Sequence, residues 1–485
     1  MTTKLKYCYL SIALLFLGVT AQAFVVLPDV ITDNMVLQQK DATTFWGKGA
    51  ANKTITIITS WNNQKYQTAI DANGHWKLKI KTPAAGGPYD ISFDDGELLK
   101  LTNIMIGEVW LCSGQSNMEM PLASWGKIKD YQQEIANANY PNIRILKVKK
   151  AISSYPMDDF KSNTMGWQAC SPATISDFSA AAYFFARKLY QTKPVAIGLI
   201  DATWGGTVIE SWTSTEAIGK VEAFADTVKK ISALPRDLKL TNPNKPTLLY
   251  NAMINPFLGV AIKGVIWYQG ESNNSRAYQY RELFPLLINN WRTQFNRPQM
   301  PFLFVQLANF QAVNPQPAEA TWAELREAQA MALSLPNTGM AVAIDIGETG
   351  DIHPKNKQDV GYRLALLALA KVYKEKVIDE GPMYQSNKVE GNKVVVNFKS
   401  GAALKSSDEK ELTGFAIAGA DKKFYWAKAE IKGNSVIVSA KEVKNPVAVR
   451  YAWANNPICN LGNAAGLPAA PFRTDDWPGI TINKK

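Results

Sequence analysis

Histidine is nearly absent from this chain of 485 residues, which contains only His75 and His353. A catalytic site built from several histidines is therefore excluded, which argues against the usual His-rich, zinc-dependent route to hydrolysis of esters or amides. His75 opens a β-like run near the N-terminus, far in sequence from any chemical motif, and we expect it to be structural. If a histidine takes part in catalysis, it has to be His353.

Cysteine is also scarce. Cys8 lies in the first 23 residues, and Cys112, Cys170 and Cys459 allow at most one disulfide, whose pairing the sequence does not determine. Cys112 lies within an apolar strand pattern, so we expect it to be a buried free thiol.

Long apolar runs are missing except near the N-terminus, where the sequence resembles a signal peptide. Lys4 and Lys6 form a basic start, residues 10–19 are apolar, and residues 21–23 fit the small-x-small cleavage rule. We expect export, to the periplasm or out of the cell, and a mature chain that begins at Phe24. The apolar run is too short to span a bilayer comfortably, so no membrane span is expected after cleavage.

Charge and composition exclude two further classes. Lys and Arg exceed Asp and Glu by 53 to 42, but the basic residues are scattered, whereas nucleic-acid binding needs a concentrated basic face. We therefore expect no nucleic-acid partner. Hydrophobic residues make up 46% of the chain, which excludes a disordered protein, and the length predicts two to four domains.

Three regions differ in their pattern. Residues 24–103 contain short alternating runs separated by turn signals, which predicts a β-sandwich module. In residues 104–377, five apolar runs alternate with amphipathic helical patterns, which predicts an α/β domain with a parallel five-stranded sheet between helices. Residues 378–485 return to short β runs and end in a Pro- and Gly-rich tail, which predicts a second β module.

Ligands of open parallel sheets bind at the carboxyl ends of the strands. The five apolar runs are residues 109–112, 196–200, 265–268, 302–305 and 341–344. Polar residues and glycines follow four of them, at residues 113–118, 201–207, 269–273 and 345–354. We therefore expect these segments to meet at one edge of the sheet and to form one site.

Ser116 and His353 both lie in these segments. A serine hydroxyl needs a base that accepts its proton, and the base needs an acceptor that orients it. Ser116 would be the nucleophile, His353 the base, and Asp351 or Glu271 the orienting carboxylate. The alternatives are a helix cap for Ser116 and a helix-entry residue for His353.

Acyl transfer also requires hydrogen-bond donors for the developing oxyanion. The backbone N–H of Ser116 is one candidate, and Gly206 is a second because a glycine allows close approach to the substrate. The amide of Asn273, or failing that the amide of Gln269, could be a third donor. We assign Gln115, Trp204 and Gln269 to substrate binding; for Trp204, the face of the indole ring suits the apolar face of a sugar.

Four motifs, at residues 114–118, 204–207, 267–273 and 351–354, resemble those of the sialate O-acetylesterase branch of the SGNH (GDSL-like) hydrolases. The resemblance extends over the whole mature chain. It implies an exported carbohydrate O-acetylesterase with an SGNH-type, flavodoxin-like three-layer α/β/α core and no metal or other cofactor. It also implies that Ser116 is the nucleophile and His353 the base.

One departure leaves the orienting residue open. The general SGNH pattern has an Asp three residues before the histidine, but here that position is Gly350, and Asp351 is only two residues before His353. Related carbohydrate esterases use the glutamate of a Gln-Gly-Glu motif, which would be Glu271. A histidine oriented only by a backbone carbonyl is a third option. The substrate is also open: sialic acid, another acetylated glycan, or acetylated xylan. A non-catalytic glycan-binding protein is the alternative from another class, and a lipid esterase or thioesterase on the same core is a third hypothesis.

Overall fold

The computed structural model describes residues 25–160, 162–163 and 166–485, so the predicted signal peptide lies outside the described residues. A mostly parallel central sheet is preceded and followed along the chain by β modules, which confirms the predicted fold class. The three described cysteines are free thiols, and Cys112 is buried as predicted. No helix in the described part of the chain is long and apolar enough to cross a membrane.

The N-terminal module contains two sheets that face each other. Its strands are β1 (Val36–Gln38), β2 (Ala42–Lys48), β3 (Thr54–Thr59), β4 (Gln64–Ala69), β5 (His75–Lys81), β6 (Gly86–Asp94) and β7 (Leu98–Gly114). Strands β2 and β5 form one antiparallel pair, and β4, β3, β6 and β7 pair in that order in the other sheet. The ring of Phe93 on β6 lies 6.0 Å from that of Phe45 on β2 and 5.9 Å from that of Trp76 on β5, so the two sheets share a core.

Strand β7 connects this module to the central sheet. Its first half pairs with β6 and alternates between buried and exposed residues, whereas its second half is buried on both faces. The predicted boundary between residues 103 and 104 therefore lies inside one continuous strand. The change from alternating to uniformly buried residues marks the point where helices begin to cover both faces of the sheet.

In the described part of the chain, the central sheet contains six parallel strands and one antiparallel edge strand. The strands that follow β7 are β8 (Tyr140–Lys147), β9 (Gln168–Cys170), β10 (Ala196–Thr203), β11 (Gly264–Tyr268), β12 (Phe302–Val305) and β13 (Thr338–Ala341). Their order is β13-β12-β11-β7-β10-β8-β9, and only β9 is antiparallel. The prediction of five strands omitted β8, because Arg144 interrupts its apolar run. The last predicted run, 341–344, mostly follows β13 instead of forming it.

Helices cover both faces of this sheet. The α-helices of the described central region are α1 (Ser116–Glu119), α2 (Tyr131–Ala136), α3 (Ala180–Thr192), α4 (Thr215–Ile218), α5 (Glu222–Ser232), α6 (Ala277–Gln294), α7 (Thr321–Met331) and α8 (Lys357–Leu367). Successive residues of β11 show the two layers: Trp267 packs against Trp291 of α6, while the ring of Tyr268 faces Lys357 of α8. Four of these helices, α3, α6, α7 and α8, match predicted amphipathic patterns.

The C-terminal module is all β and packs on the central domain. Its strands are β14 (Met383–Glu390), β15 (Lys393–Lys399), β16 (Leu404–Ser406), β17 (Phe415–Ala418), β18 (Phe424–Trp426), β19 (Lys428–Lys432), β20 (Ser435–Ser439), β21 (Ala448–Tyr451), β22 (Leu461–Asn463) and β23 (Phe472–Arg473). Arg326 of α7 is fully buried and donates hydrogen bonds to the carbonyls of Ala454 and Asn455. Asn456 bonds to Thr349, which places this module beside the loop that carries His353.

Candidate active site

The carboxyl ends of β7 and β11 approach each other closely at Gly114. This glycine has φ of 138°, and a Cβ atom on it would lie 2.1 Å from the carbonyl oxygen of Tyr268. The next residue, Gln115, donates its backbone N–H to the same carbonyl at 3.0 Å. Ser116 then begins α1, so the sharp turn that only glycine allows here presents the serine at the edge of the sheet.

The loop after β10 lies directly against Ser116. A Cβ atom on Gly205 would be 3.1 Å from Cβ of Ser116. A Cβ atom on Gly206 would have no described atom within 4 Å, apart from those of Gly206 itself and its two chain neighbours. Gly206 has φ of 74°, in the left-handed region that favours glycine. The structure therefore brings together the two segments that were predicted to supply the nucleophile and the oxyanion donors.

Glu119 fixes this loop, and our sequence analysis missed it. Its Oε2 accepts the backbone N–H of Gly205 at 2.6 Å, and its Oε1 pairs with Nζ of Lys150 at 2.6 Å. Ser116 and Glu119 lie three residues apart, on one face of α1. That spacing was the signal that could have identified Glu119.

His353 lies in the loop before α8, next to Asp351. Oδ1 of Asp351 accepts the backbone N–H of His353 at 2.8 Å and lies 3.4 Å from Nδ1 of its ring. Partial burial lowers the pKa of His353 below its ordinary value, and the charge of Asp351 opposes this shift. The imidazole is therefore biased toward the neutral form, which can accept a proton.

Asn117 connects the His353 loop to the nucleophile turn. Its Nδ2 donates to the carbonyl of Ile352 at 3.0 Å and to Oε1 of Glu271 at 2.5 Å. Ile352 precedes His353 and Asn117 follows Ser116, so this one side chain holds the two predicted catalytic segments together.

The two candidate orienting carboxylates have different surroundings. Asp351 is 45% exposed at its side chain and contacts His353, whereas Glu271 is buried and accepts its hydrogen bond from Asn117. Burial raises the pKa of Glu271. The contact with His353 is therefore made by Asp351, although it is only two residues away in sequence.

Gln115 and Gln269 are both buried and connect loops to one another. Oε1 of Gln115 accepts the backbone N–H groups of Gly270 and Ser272, at 3.2 and 3.3 Å. Nε2 of Gln269 donates to the carbonyl of Thr207 at 3.1 Å. Both amides were predicted to bind substrate. In the structure, the hydrogen bonds of both amides connect the loops at the strand ends.

Asn273, the predicted third oxyanion donor, is also buried. Its Oδ1 accepts the backbone N–H of Ile209 at 3.0 Å, and its Nδ2 donates to Glu210 at 3.1 Å. One N–H of the amide is thus used by Glu210, and the glutamate in turn pairs with Arg276 at 2.6 Å.

Two tryptophans flank the site. Trp204 is half-buried, with Nζ of Lys150 5.7 Å from the centre of its ring. Trp125, which our sequence analysis did not single out, is 50% exposed, and its ring packs edge-on against His353 with centroids 5.4 Å apart. Both rings lie beside predicted catalytic segments, where a sugar ring could contact them.

Comparison with known proteins identifies the family. Residues 106–370 match the family described as carbohydrate esterase, sialic acid-specific acetylesterase. The chain is 31% identical to sialate O-acetylesterases of Homo sapiens and Pongo abelii, over 93% of this chain and 94% of each relative. The crystal structure of a carbohydrate acetylesterase from Xanthomonas citri aligns with a TM-score of 0.85 and 40% identity, over 94% of this chain and all of that one.

The chain belongs to the sialic acid-specific acetylesterase family of carbohydrate esterases. Membership confirms the resemblance drawn from the four motifs and makes the protein an esterase. The matched residues, 106–370, nearly coincide with the region in which the sequence predicted the α/β domain. Relatives in this family align with this chain well beyond that region, including most of both β modules.

Proposed function

We propose that the protein removes O-acetyl groups from sialic acid or another acetylated glycan by two-step acyl transfer. The observation that carries this proposal is the meeting of Ser116, the Gly205–Gly206 loop and the Asp351–His353 pair at one edge of the sheet. This is the combination of nucleophile, oxyanion donors and oriented base that ester hydrolysis needs.

The reaction would proceed through an acetyl-enzyme. Oγ of Ser116 attacks the acetyl carbonyl while Nε2 of His353 accepts the hydroxyl proton. The backbone N–H groups of Ser116 and Gly206 stabilise the oxyanion, with Asn273 as a further candidate donor. The sugar oxygen leaves with the proton from His353. A water molecule then attacks the acetyl-enzyme, gives its proton to His353, and acetate leaves as Ser116 regains the proton.

We assign Asp351 as the residue that orients His353. Its carboxylate lies next to Nδ1 and would stabilise the imidazolium that forms in each step. Glu271, the other candidate, would act on the site through Asn117 instead.

The substrate class is supported by the aromatic residues and one cation near the site. Trp125 and Trp204 offer ring faces for the apolar face of a sugar. Lys150, half-exposed above Trp204, could pair with the carboxylate of a sialic acid. A neutral glycan such as acetylated xylan would use the tryptophans but not Lys150.

We also infer export and a three-part chain. Residues 1–23 would be removed as a signal peptide, to leave residues 24–103 as the N-terminal β module, 104–377 as the catalytic domain and 378–485 as the C-terminal β module. N-terminal sequencing of the exported protein is expected to begin at Phe24. A mature protein that still contains residues 1–23 would contradict this inference.

Acetate release from O-acetylated sialic acid and from acetylated xylan tests the function directly. Wild type is expected to release acetate, and Ser116→Ala to lose at least about a thousandfold in kcat. Ser334→Ala is the matched control, because Ser334 is exposed after α7 and precedes the amino end of β13. Equal release from Ser116→Ala and wild type would refute the proposed nucleophile. Saccharide binding without acetate release would favour a glycan-binding protein.

A further inference from the structure

Lys357 is a buried lysine directly behind the proposed base. It lies in the first turn of α8, four residues after His353, and has no exposed surface. Its Nζ donates to the carbonyl of Pro354 at 2.7 Å and to Oδ1 of Asn117 at 2.8 Å. A lysine at the start of a helix normally extends into solvent, so this buried position calls for a physical explanation.

Asn117 supplies the other half of the arrangement. Its Oδ1 accepts from Lys357, and its Nδ2 donates to the carbonyl of Ile352 at 3.0 Å. The carbonyls of Ile352 and Pro354, one on each side of His353, are thus both held by the Asn117–Lys357 pair. Since Asn117 directly follows Ser116, the pair links the backbone of the base to the backbone of the nucleophile.

We propose that Lys357 is a positioning residue for deacetylation, which fixes the His353 loop relative to Ser116 through Asn117. The inference rests on the proposed function, because it takes Ser116 as nucleophile and His353 as base. The hydrogen bonds of Lys357 go to the carbonyl of Pro354 and the amide of Asn117, and its positive charge also lowers the pKa of His353.

A lysine can hold this position in either protonation state. Burial lowers its pKa to about 7, while the negative charge of the buried Glu271 opposes that shift. An ammonium group has three N–H donors and a neutral amine has two, and the two observed bonds need only two. The connection between Asn117 and Pro354 would therefore persist when Lys357 loses its proton.

An apolar side chain would remove this connection. It would avoid the cost of burying an amine, but it would leave the carbonyl of Pro354 and Oδ1 of Asn117 without their donor. The loop could then move relative to Ser116, and a displacement of about 1 Å at a catalytic group can cost about a hundredfold in rate.

The test compares Lys357→Met with Lys355→Met, a matched control. Lys355 lies two residues earlier, in the His353 loop before α8, and its side chain is exposed. The measurements are kcat and KM with p-nitrophenyl acetate and the rate of inactivation by phenylmethanesulfonyl fluoride. That reagent transfers its sulfonyl group to the serine Oγ with loss of fluoride and a proton, so its rate reports the Ser116–His353 alignment without the sugar. Thermal unfolding of each variant is measured in parallel.

We expect Lys357→Met to lower kcat and the inactivation rate together by about a hundredfold, with KM within about twofold, and Lys355→Met to change neither. Glu271→Gln alone should stay within about tenfold of wild type, because the amine of Lys357 keeps its two bonds. The double variant Glu271→Gln, Lys357→Met removes both buried ionisable side chains. It should regain thermal stability but not the lost rates.

Two results would refute the positioning role of Lys357, and a third would refute the proposed function. Wild-type kcat and inactivation rate in Lys357→Met would refute the positioning role. Recovery of both rates in the double variant would also refute the positioning role, because the balance of buried charges alone would then explain the loss of rate. If Lys357→Met fails to fold, the rates of the double variant provide the test. Failure of the proposed function gives a different result: Ser116→Ala would hydrolyse the ester as fast as wild type.

Discussion

Replacement of Asp351 by Asn isolates the electrostatic part of the proposed base. Asn has the same size, and its Oδ1 can still accept the backbone N–H of His353, a bond of 2.8 Å in the structure. The turn should therefore be kept. What disappears is a negative charge 3.4 Å from Nδ1 of His353.

The expected loss follows from that distance. Because the side chain of Asp351 is 45% exposed, an effective dielectric constant of about 40 is more appropriate than the value of about 20 used for buried pairs. At a separation of 3.4 Å, the attraction to the imidazolium is then about 2.4 kcal/mol. This corresponds to a loss of about sixtyfold in kcat.

The assay is kcat/KM for p-nitrophenyl acetate as a function of pH. Since the charge of Asp351 raises the pKa of His353 against the effect of burial, its removal should lower that pKa. The acidic limb of the profile should therefore move to lower pH while the plateau falls. Glu271→Gln should lose less than about tenfold. A plateau within twofold of wild type for Asp351→Asn, with a loss of about a hundredfold for Glu271→Gln, would refute the assignment.

Three further predictions concern two other residues of the site and Asp201, which is buried in β10. Trp125→Ala should raise KM for an acetylated glycan about tenfold and affect p-nitrophenyl acetate much less; equal effects on both substrates would argue against sugar contact. Glu119→Ala should free the Gly205 loop and lower kcat by at least about tenfold, and an unchanged kcat would contradict its role as support for the oxyanion loop. Burial raises the pKa of Asp201 from 3.8 to about 6, so the folded protein holds this proton more tightly than the unfolded chain does. The free energy of unfolding should therefore fall as the pH rises between these two values. Asp201→Asn should therefore gain up to about 3 kcal/mol in free energy of unfolding, relative to wild type, between pH 4 and pH 7 in urea titrations; a difference independent of pH would contradict this.

Much of the fold could be predicted because the patterns that encode it are local. The apolar runs of β7, β10, β11 and β12 and the amphipathic patterns of four helices are continuous in sequence. Strand β8 was not predicted, because Arg144, which is itself buried, divides its apolar residues. The module boundary at 103/104 was placed inside β7, because a strand can leave one sheet and enter another without a turn.

The candidate site was predictable only in part. Ser116 and His353 could be found because strand ends converge and because His353 is the one histidine left in the central region. The contact of Asp351 with His353 depends on the path of a short loop, which residue spacing does not determine. The sequence pattern did not indicate a role for Lys357, because the burial of its side chain depends on the tertiary structure.

The central claim is that Ser116 carries the acetyl group during turnover, and acid quenching within one turnover followed by peptide mass spectrometry tests it most directly. With wild type and an acetylated glycan, we expect the peptide that contains Ser116 to gain the mass of one acetyl group, which fragmentation places on Ser116. The same peptide of Ser116→Ala should stay unmodified, and acetate release should stop. Wild-type release of acetate by Ser116→Ala, or a turnover-dependent acetyl group on another residue, would contradict the mechanism.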